Sequence, residues 1–157
     1  TPTQIRRYLN RVSGPFLDRI DIGVEVPRQD LGMMAAEKSI DEGSFPQTEQ
    51  RNSSAVMRAR VMEARARQEK RFADESISYN SQMTRRQIEE YCRLSGEEAV
   101  FLEKVERQQG ISARGHGKIL KVARTLADLD GQAEIGRTQL AEAIGFRSFE
   151  KKYWGSL

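Results

Sequence analysis

Between Ser112 and Gly131 the sequence reads SARGHGKILKVARTLADLDG, and Ile119, Val122, Ala123, Leu126 and Leu129 recur in it every three or four residues. That period places them on one face of an α-helix ended by Gly131. Such a stripe has to be buried against other helices, and neighbouring segments supply matching ones. Residues 95–109 open with Ser95-Gly96-Glu97-Glu98, a capping box, and turn Phe101, Leu102 and Val105 inward. Residues 84–92 hold Ile88 and Cys92 on one side, and residues 138–146 present Leu140, Ala143 and Ile144. A longer helix runs from Ser53 or Ser54 to about Phe72; its seam of Met57, Val61, Ala64 and Phe72 is thin, and the rest is basic. The predicted fold is therefore mainly α, a helical bundle, and no internal repeat is visible.

The front of the chain has a different pattern. Thr1-Pro2-Thr3-Gln4 is a helix start, and Ile5, Leu9 and Val12 follow on one helical face until Ser13-Gly14-Pro15. Next, Ile20, Ile22, Val24 and Val26 alternate with Asp21, Gly23 and Glu25, the signature of a half-buried strand stopped by Pro27. One strand makes no sheet, so its partners are expected upstream; the opening Thr1-Pro2, in place of methionine, also suits a piece of a longer protein. Residues 27–52 show no period, contain Gly32, Gly43 and Pro46, and read as a long loop or linker. The predicted divisions are 1–26, the linker 27–52, the basic helix and connector 53–84, and the bundle 85–157.

Of the 157 residues, 38% are apolar and 31% charged, too polar for a membrane span and too apolar for a wholly disordered chain. No apolar run approaches the ~20 residues of a spanning helix. A single cysteine excludes an intramolecular disulfide and fits a reducing compartment. One histidine beside one cysteine leaves no zinc set, and no metal site is expected. Cys92, at the apolar end of a helix, reads as a buried structural thiol. The pairs Glu89/Glu90 and Glu97/Glu98 splay apart on a helix and serve as caps and solubilising charges.

The net charge of +3 conceals blocks. Residues 20–50 carry two basic and seven acidic side chains, whereas residues 51–71 carry seven basic and two acidic. A solvated helix face accounts for the basic block, and so does contact with a polyanion. The second alternative predicts weak, salt-dependent, sequence-independent DNA binding through Arg58, Arg60, Arg65, Arg67 and Arg71.

Gly115-His116-Gly117-Lys118-Ile119 imitates a phosphate loop but fails its test, because Lys118 is followed by Ile119 and no strand precedes. The stretch is nonetheless unusual. Ser112 is a good cap, which places Arg114, His116 and Lys118 in the first two turns, where cations oppose the helix dipole at about 0.3–1 kcal/mol each. Arg114, Lys118 and Lys121 share a face. A bound anion would offset this cost; an exposed basic face is the alternative.

Taken together, TPTQIRRYLNRVSGPFLDRIDIGVEVP, NSQM (residues 80–83) and ISARGHGKILKVARTLADLDG resemble the magnesium-chelatase-related AAA+ ATPases of the YifB/ComM type. The likeness is strong over 1–26, good over 80–147 and mainly positional over 27–52. It implies a bacterial cytoplasmic protein linked to natural transformation and DNA branch migration. It further implies that this chain carries the end of the α/β ATPase core, one helix and one strand, and then the helical lid. The Walker A, Walker B and sensor-1 elements would lie upstream. By the same resemblance Arg19 matches the arginine finger acting on a neighbour, and Arg114 matches sensor 2 acting on its own subunit. Lys118 would join Arg114 at the nucleotide. His116-Gly117-Lys118 stands where the family has aromatic-His-Arg, a departure from its pattern. ATP and Mg²⁺ would serve the parent protein, with none bound by this piece alone, which is not expected to hydrolyse ATP. The partners implied are the upstream core, further copies in a hexameric ring, and DNA, with no membrane. Two other readings stay open: a stand-alone helical nucleic-acid-binding module, and the ATPase subunit of a magnesium chelatase.

Overall fold

The computed structural model describes residues 11, 16, 19–26 and 53–147. The expected helix at residues 1–12, the linker 27–52 and the chain beyond 147 lie outside the described residues. Within them are five α-helices and one 3₁₀ turn: α1 (Ser54–Arg71), the turn (Asn80–Gln82), α2 (Arg85–Tyr91), α3 (Gly96–Gln109), α4 (Ala113–Leu129) and α5 (Arg137–Gly145). None of the helices is long and apolar enough to cross a membrane.

Local chemistry sets the helix starts. Ser53, Ser95 and Ser112 each accept the backbone amide three residues on, from Val56, Glu98 and Gly115. Thr84 and Gln87 form a reciprocal capping box at α2. Helix α4 ends as its sequence requires: Gly131 adopts φ +71°, while Gln132 N–H donates to Ala127 O (2.8 Å) and Gly131 N–H to Asp128 O (3.2 Å), a Schellman closure.

Helix α4 is the axis of the bundle and packs on α5, α1, α2 and the 3₁₀ turn. Its Ile119, Ala123 and Ala127 have no exposed surface. Around them lie Phe72, Met83, Cys92, Leu102, Leu140 and Ile144. Phe72 and Tyr91 meet edge to face, centroids 5.3 Å apart. Burial pushes the Cys92 thiol up to about 11, so it behaves as the structural residue its position suggested.

The α1 seam is covered over half its length only. Ala64 and Phe72 are buried, but Met57 and Val61, expected beside them, are 51% and 44% exposed. The first ten residues of α1 all face solvent.

The strand expected at residues 20–26 is not shown. Among the described residues there is no strand, and Ile22, Val24 and Val26 are 50%, 68% and 83% exposed. Their alternation has no neighbouring backbone ladder to pair with. The segment is instead held by polar ties to the bundle's far end: Gly23 N–H donates to Phe146 O (2.9 Å) and Arg147 Nη1 to Ile20 O (3.0 Å).

A cluster of charged side chains reaches the core around Asp128. Asp128 is fully buried. Arg71 grips both its oxygens, Asn80 Nδ2 donates to Oδ2 (2.8 Å), and Arg124 Nη2 lies 3.1 Å from Oδ1. Asn80 also accepts from Arg71 Nη1 (3.0 Å) and donates to Thr125 Oγ1 (3.1 Å). Gln68 Oε1 takes the Asn80 amide, and Arg124 donates to the carbonyls of Ala133 and Gln132. Burial alone would raise the Asp128 carboxyl, but the hydrogen bonds from Arg71 and Asn80 and the two guanidinium charges outweigh it and hold the group below its ordinary 3.8.

Two outcomes are expected. Asp128→Ala leaves two guanidinium groups uncompensated and should cost roughly 3–5 kcal/mol in denaturant unfolding. Because the folded carboxyl titrates below the unfolded one, its contribution is complete above the unfolded value and is lost as pH falls through the folded one. Acid unfolding of wild type should therefore carry a component that Asp128→Asn abolishes. The second outcome separates two glycines of α4. A Cβ on Gly115 would stand 2.8 Å from Ile111 Cγ2, whereas on Gly117 it would meet Ile88 Cδ1 at an ordinary 3.5 Å. Thermal melts should show Gly115→Ala losing about 1–3 kcal/mol and Gly117→Ala holding steady or gaining up to ~1 kcal/mol.

Candidate functional site

The unusual start of α4 opens on a cleft of about 830 Å³ between α2, α3 and α4. Ile88, Cys92, Leu94, Ile111 and Leu120 give it apolar lining, and Arg85, Glu106, Arg114, His116, Lys118 and Lys121 give it charge. Ser112 Oγ takes only the Gly115 amide (3.1 Å), so the amides of Ala113 and Arg114 have no intrahelical acceptor.

Most cations here have protein partners. His116 Nδ1 lies 2.6 Å from Glu106 Oε1. Lys118 Nζ lies 2.6 Å from Asp21 Oδ1, its side chain only 17% exposed. Lys121 Nζ donates to Ser81 O (2.9 Å). Arg114 differs: it is exposed and has no hydrogen bond or ion pair among the described residues. The expected cationic face of Arg114, Lys118 and Lys121 is thus divided, with two members engaged by protein and one facing solvent. Lys118, expected beside Arg114 at the nucleotide, is paired with Asp21 among the described residues.

That ion pair draws the front of the chain into the site. Arg19 is exposed, with its N–H donating to Phe16 O (2.9 Å), and it stands two residues before Asp21. The structure therefore joins the segment of Arg19 to the helix of Arg114, two positions the sequence separates by 94 residues.

The five arginines of α1 divide in the same way. Arg71 is bound into the Asp128 cluster, and Arg67 Nη1 donates to Asp128 O (3.1 Å). Arg60 lies 3.9 Å from Asp130, and Arg65 sits over the Tyr79 ring at 5.4 Å. Arg58 has no such partner among the described residues. The basic stripe is thus partly a clamp onto the end of α4, with Arg58, Arg60 and Arg65 its solvent-facing members.

Sequence reasoning passed over Asn80, Arg124 and Asp128. A signal was available: Arg124 and Asp128 stand four apart, each directly after an alanine on the helix that carries the apolar stripe. An opposite-charge pair at that spacing beside a core face is a buried pair in waiting.

Similarity to known proteins covers both joined parts. The family described as magnesium chelatase, subunit ChlI C-terminal, matches residues 51–147, and that described as magnesium chelatase, subunit ChlI, matches residues 1–34. Competence protein ComM of Haemophilus influenzae is 40% identical over 149 residues, covering 94% of this chain and 26% of the relative. The YifB protein of Escherichia coli is 39% identical over 151 residues, 96% of this chain and 27% of the relative. A Mycobacterium tuberculosis protein is 30% identical over 142 residues, 90% of this chain and 26% of its own length. The chain spans about a quarter of the length of these relatives. With the ChlI C-terminal family matching more than half of it, and ComM and YifB aligning along nearly all of it, this chain belongs to the magnesium-chelatase-related family.

Proposed function

We propose that the chain is the lid portion of a Mg-chelatase-like AAA+ ATPase that works as a homo-oligomeric ring, a hexamer, on DNA in the bacterial cytoplasm. The observation that carries the reading is Arg114, a guanidinium without a partner among the described residues, beside uncapped amides at a helix start where His116, Lys118 and Lys121 are engaged by protein groups. Such a group fits a phosphate oxygen. Bound ATP with Mg²⁺ supplies the phosphoryl group and its counter-charge. Arg114 acts as sensor 2, holding the nucleotide of its own subunit against the lid. Arg19, solvent-facing, is the finger offered to the next subunit, where a guanidinium stabilises charge spreading over the transferred phosphoryl oxygens.

Loss of an arginine finger costs on the order of 10³–10⁵ in rate, roughly 4–7 kcal/mol of barrier. In the full-length protein Arg19→Ala and Arg114→Ala should both inactivate. Mixed rings separate them. Arg19→Ala subunits together with Walker-dead subunits regain activity, because one brings the nucleotide site and the other the finger. Arg114→Ala subunits in the same mixture stay inactive, since their defect lies in their own site. Rescue of the Arg114 mixture, or full activity of Arg19→Ala, would contradict the assignment.

The Haemophilus relative is named for competence, which favours DNA as the track. Arg58 and Arg65 are the contacts of choice on α1, since Arg67 and Arg71 serve the fold. Binding should be weak, roughly 10⁻⁴–10⁻⁶ M, and fall steeply with salt. Replacing Arg58 and Arg65 by Ala should lower the slope of log K against log salt by about two, while Arg71→Ala should lower the melting temperature. A flat salt dependence in fluorescence anisotropy would remove DNA from the reading. The second reading, the ATPase subunit of a magnesium chelatase, rests on the description of the matching family; ATPase activity stimulated by DNA alone decides against it.

A further inference from the structure

We infer that Lys118 and Asp21 are a positioning pair: they tie the lid helix that senses a subunit's own nucleotide to the arginine that subunit offers its neighbour. This inference rests on the reading of Arg19 and Arg114 given above and deepens it.

Lys118 stands four residues after Arg114, on the same face of α4 one turn further on. Asp21 stands two residues after Arg19. The ammonium and carboxylate meet at 2.6 Å, with the lysine side chain 17% exposed. An ammonium so far withdrawn from water gives up much of its hydration and is costly without a partner, and the carboxylate is that partner. Two backbone ties flank the pair, Arg147 Nη1 to Ile20 O at 3.0 Å and Gly23 N–H to Phe146 O at 2.9 Å. Arg147 is itself buried, and its Nε would lie 3.9 Å from a Cβ on Gly115, in the first turn of α4. Among the described residues of the segment, Ile22, Val24 and Val26 are 50–83% exposed and only Ile20 is half-buried, so apolar burial contributes little to its placement. Its position therefore depends on a few directional polar contacts, one of them a charge pair anchored on the sensor helix. A displacement of α4 is transmitted through Asp21 to the backbone two residues from Arg19. Lys118 acts through the neighbour's site, with no role as a ligand of its own nucleotide.

Mixed rings of the full-length protein read this directly. Lys118→Met keeps the apolar stem and removes the charge; Asp21→Asn does the same from the exposed side and carries the test should the first variant fold poorly. Each should lower kcat roughly 10- to 100-fold, the scale on which small misplacements of a catalytic group act, with KM for ATP near wild type. Mixed with Walker-dead subunits, both should regain activity as Arg19→Ala does, because the Walker-dead neighbours bring well-placed fingers. The exchange Asp21→Lys with Lys118→Glu should restore much of the loss. If Lys118→Met stays inactive in mixtures where Arg19→Ala is rescued, Lys118 serves its own site and the inference is overturned while the reading of Arg19 stands. Singles with full activity, or an exchange no better than the singles, would overturn it equally. If Arg19→Ala itself is not rescued, the reading of the finger fails and the inference fails with it.

Discussion

Asp128 is a charge placed where hydrophobic residues would ordinarily meet, and four elements converge on it. Arg71 comes from the end of α1, Asn80 from the 3₁₀ turn, Arg124 from one turn earlier in α4, and the carbonyls of Gln132 and Ala133, which Arg124 also holds, from the loop toward α5. Burying a carboxylate is costly unless every lone pair has a donor, so the cluster is intolerant of approximate geometry. Apolar packing of Ile119, Ala123 and Ala127 supplies most of the driving force for association, but it is non-directional. The cluster adds register: α1 can lie against α4 only where Arg71 reaches Asp128 and Gln68 reaches the Asn80 amide.

This explains what was legible in the sequence and what was not. The helices from Ser53 onward were readable because caps and apolar period are local properties, and Ser53, Thr84, Ser95, Ser112 and Gly131 occupy the positions such properties dictate. The NSQM run was recognisable as wording, yet its physical content, Asn80 as a bridge between Arg71, Thr125 and Asp128, depends on residues up to 48 positions away. The seven basic residues of 51–71 look equivalent in a linear charge count. Only the fold distinguishes Arg71 in the core from Arg58 in solvent. Residues 20–26 show the opposite limit: alternation describes which faces differ, but a strand forms only where another backbone pairs with it, and none of the described residues does so.

The candidate site follows the same logic of partners. At the α4 start, four cationic or titratable side chains occur within eight residues, and sequence alone treats them as one patch. Glu106, Asp21 and the Ser81 carbonyl each neutralise or hold one of them. What singles out Arg114 is therefore the consumption of its neighbours by contacts from α3, the front segment and the 3₁₀ turn. In the run His116-Gly117-Lys118 both charged or titratable members have a local partner, Glu106 for the histidine and Asp21 for the lysine.

Helix α1 carries this economy to its far end. Its last two turns are fixed by Arg67, Gln68 and Arg71, while Ser54–Glu63 makes no burial of its own. Ten residues at about 1.5 Å each make an arm of roughly 15 Å. A helix that short is marginal in water by itself, so its order is inherited from the clamped half through continuous backbone hydrogen bonds. The arm behaves as a lever whose fulcrum is a buried carboxylate: a few degrees of rotation at Asp128 sweep its tip through several times the distance moved at the core. Arg58 rides near that tip.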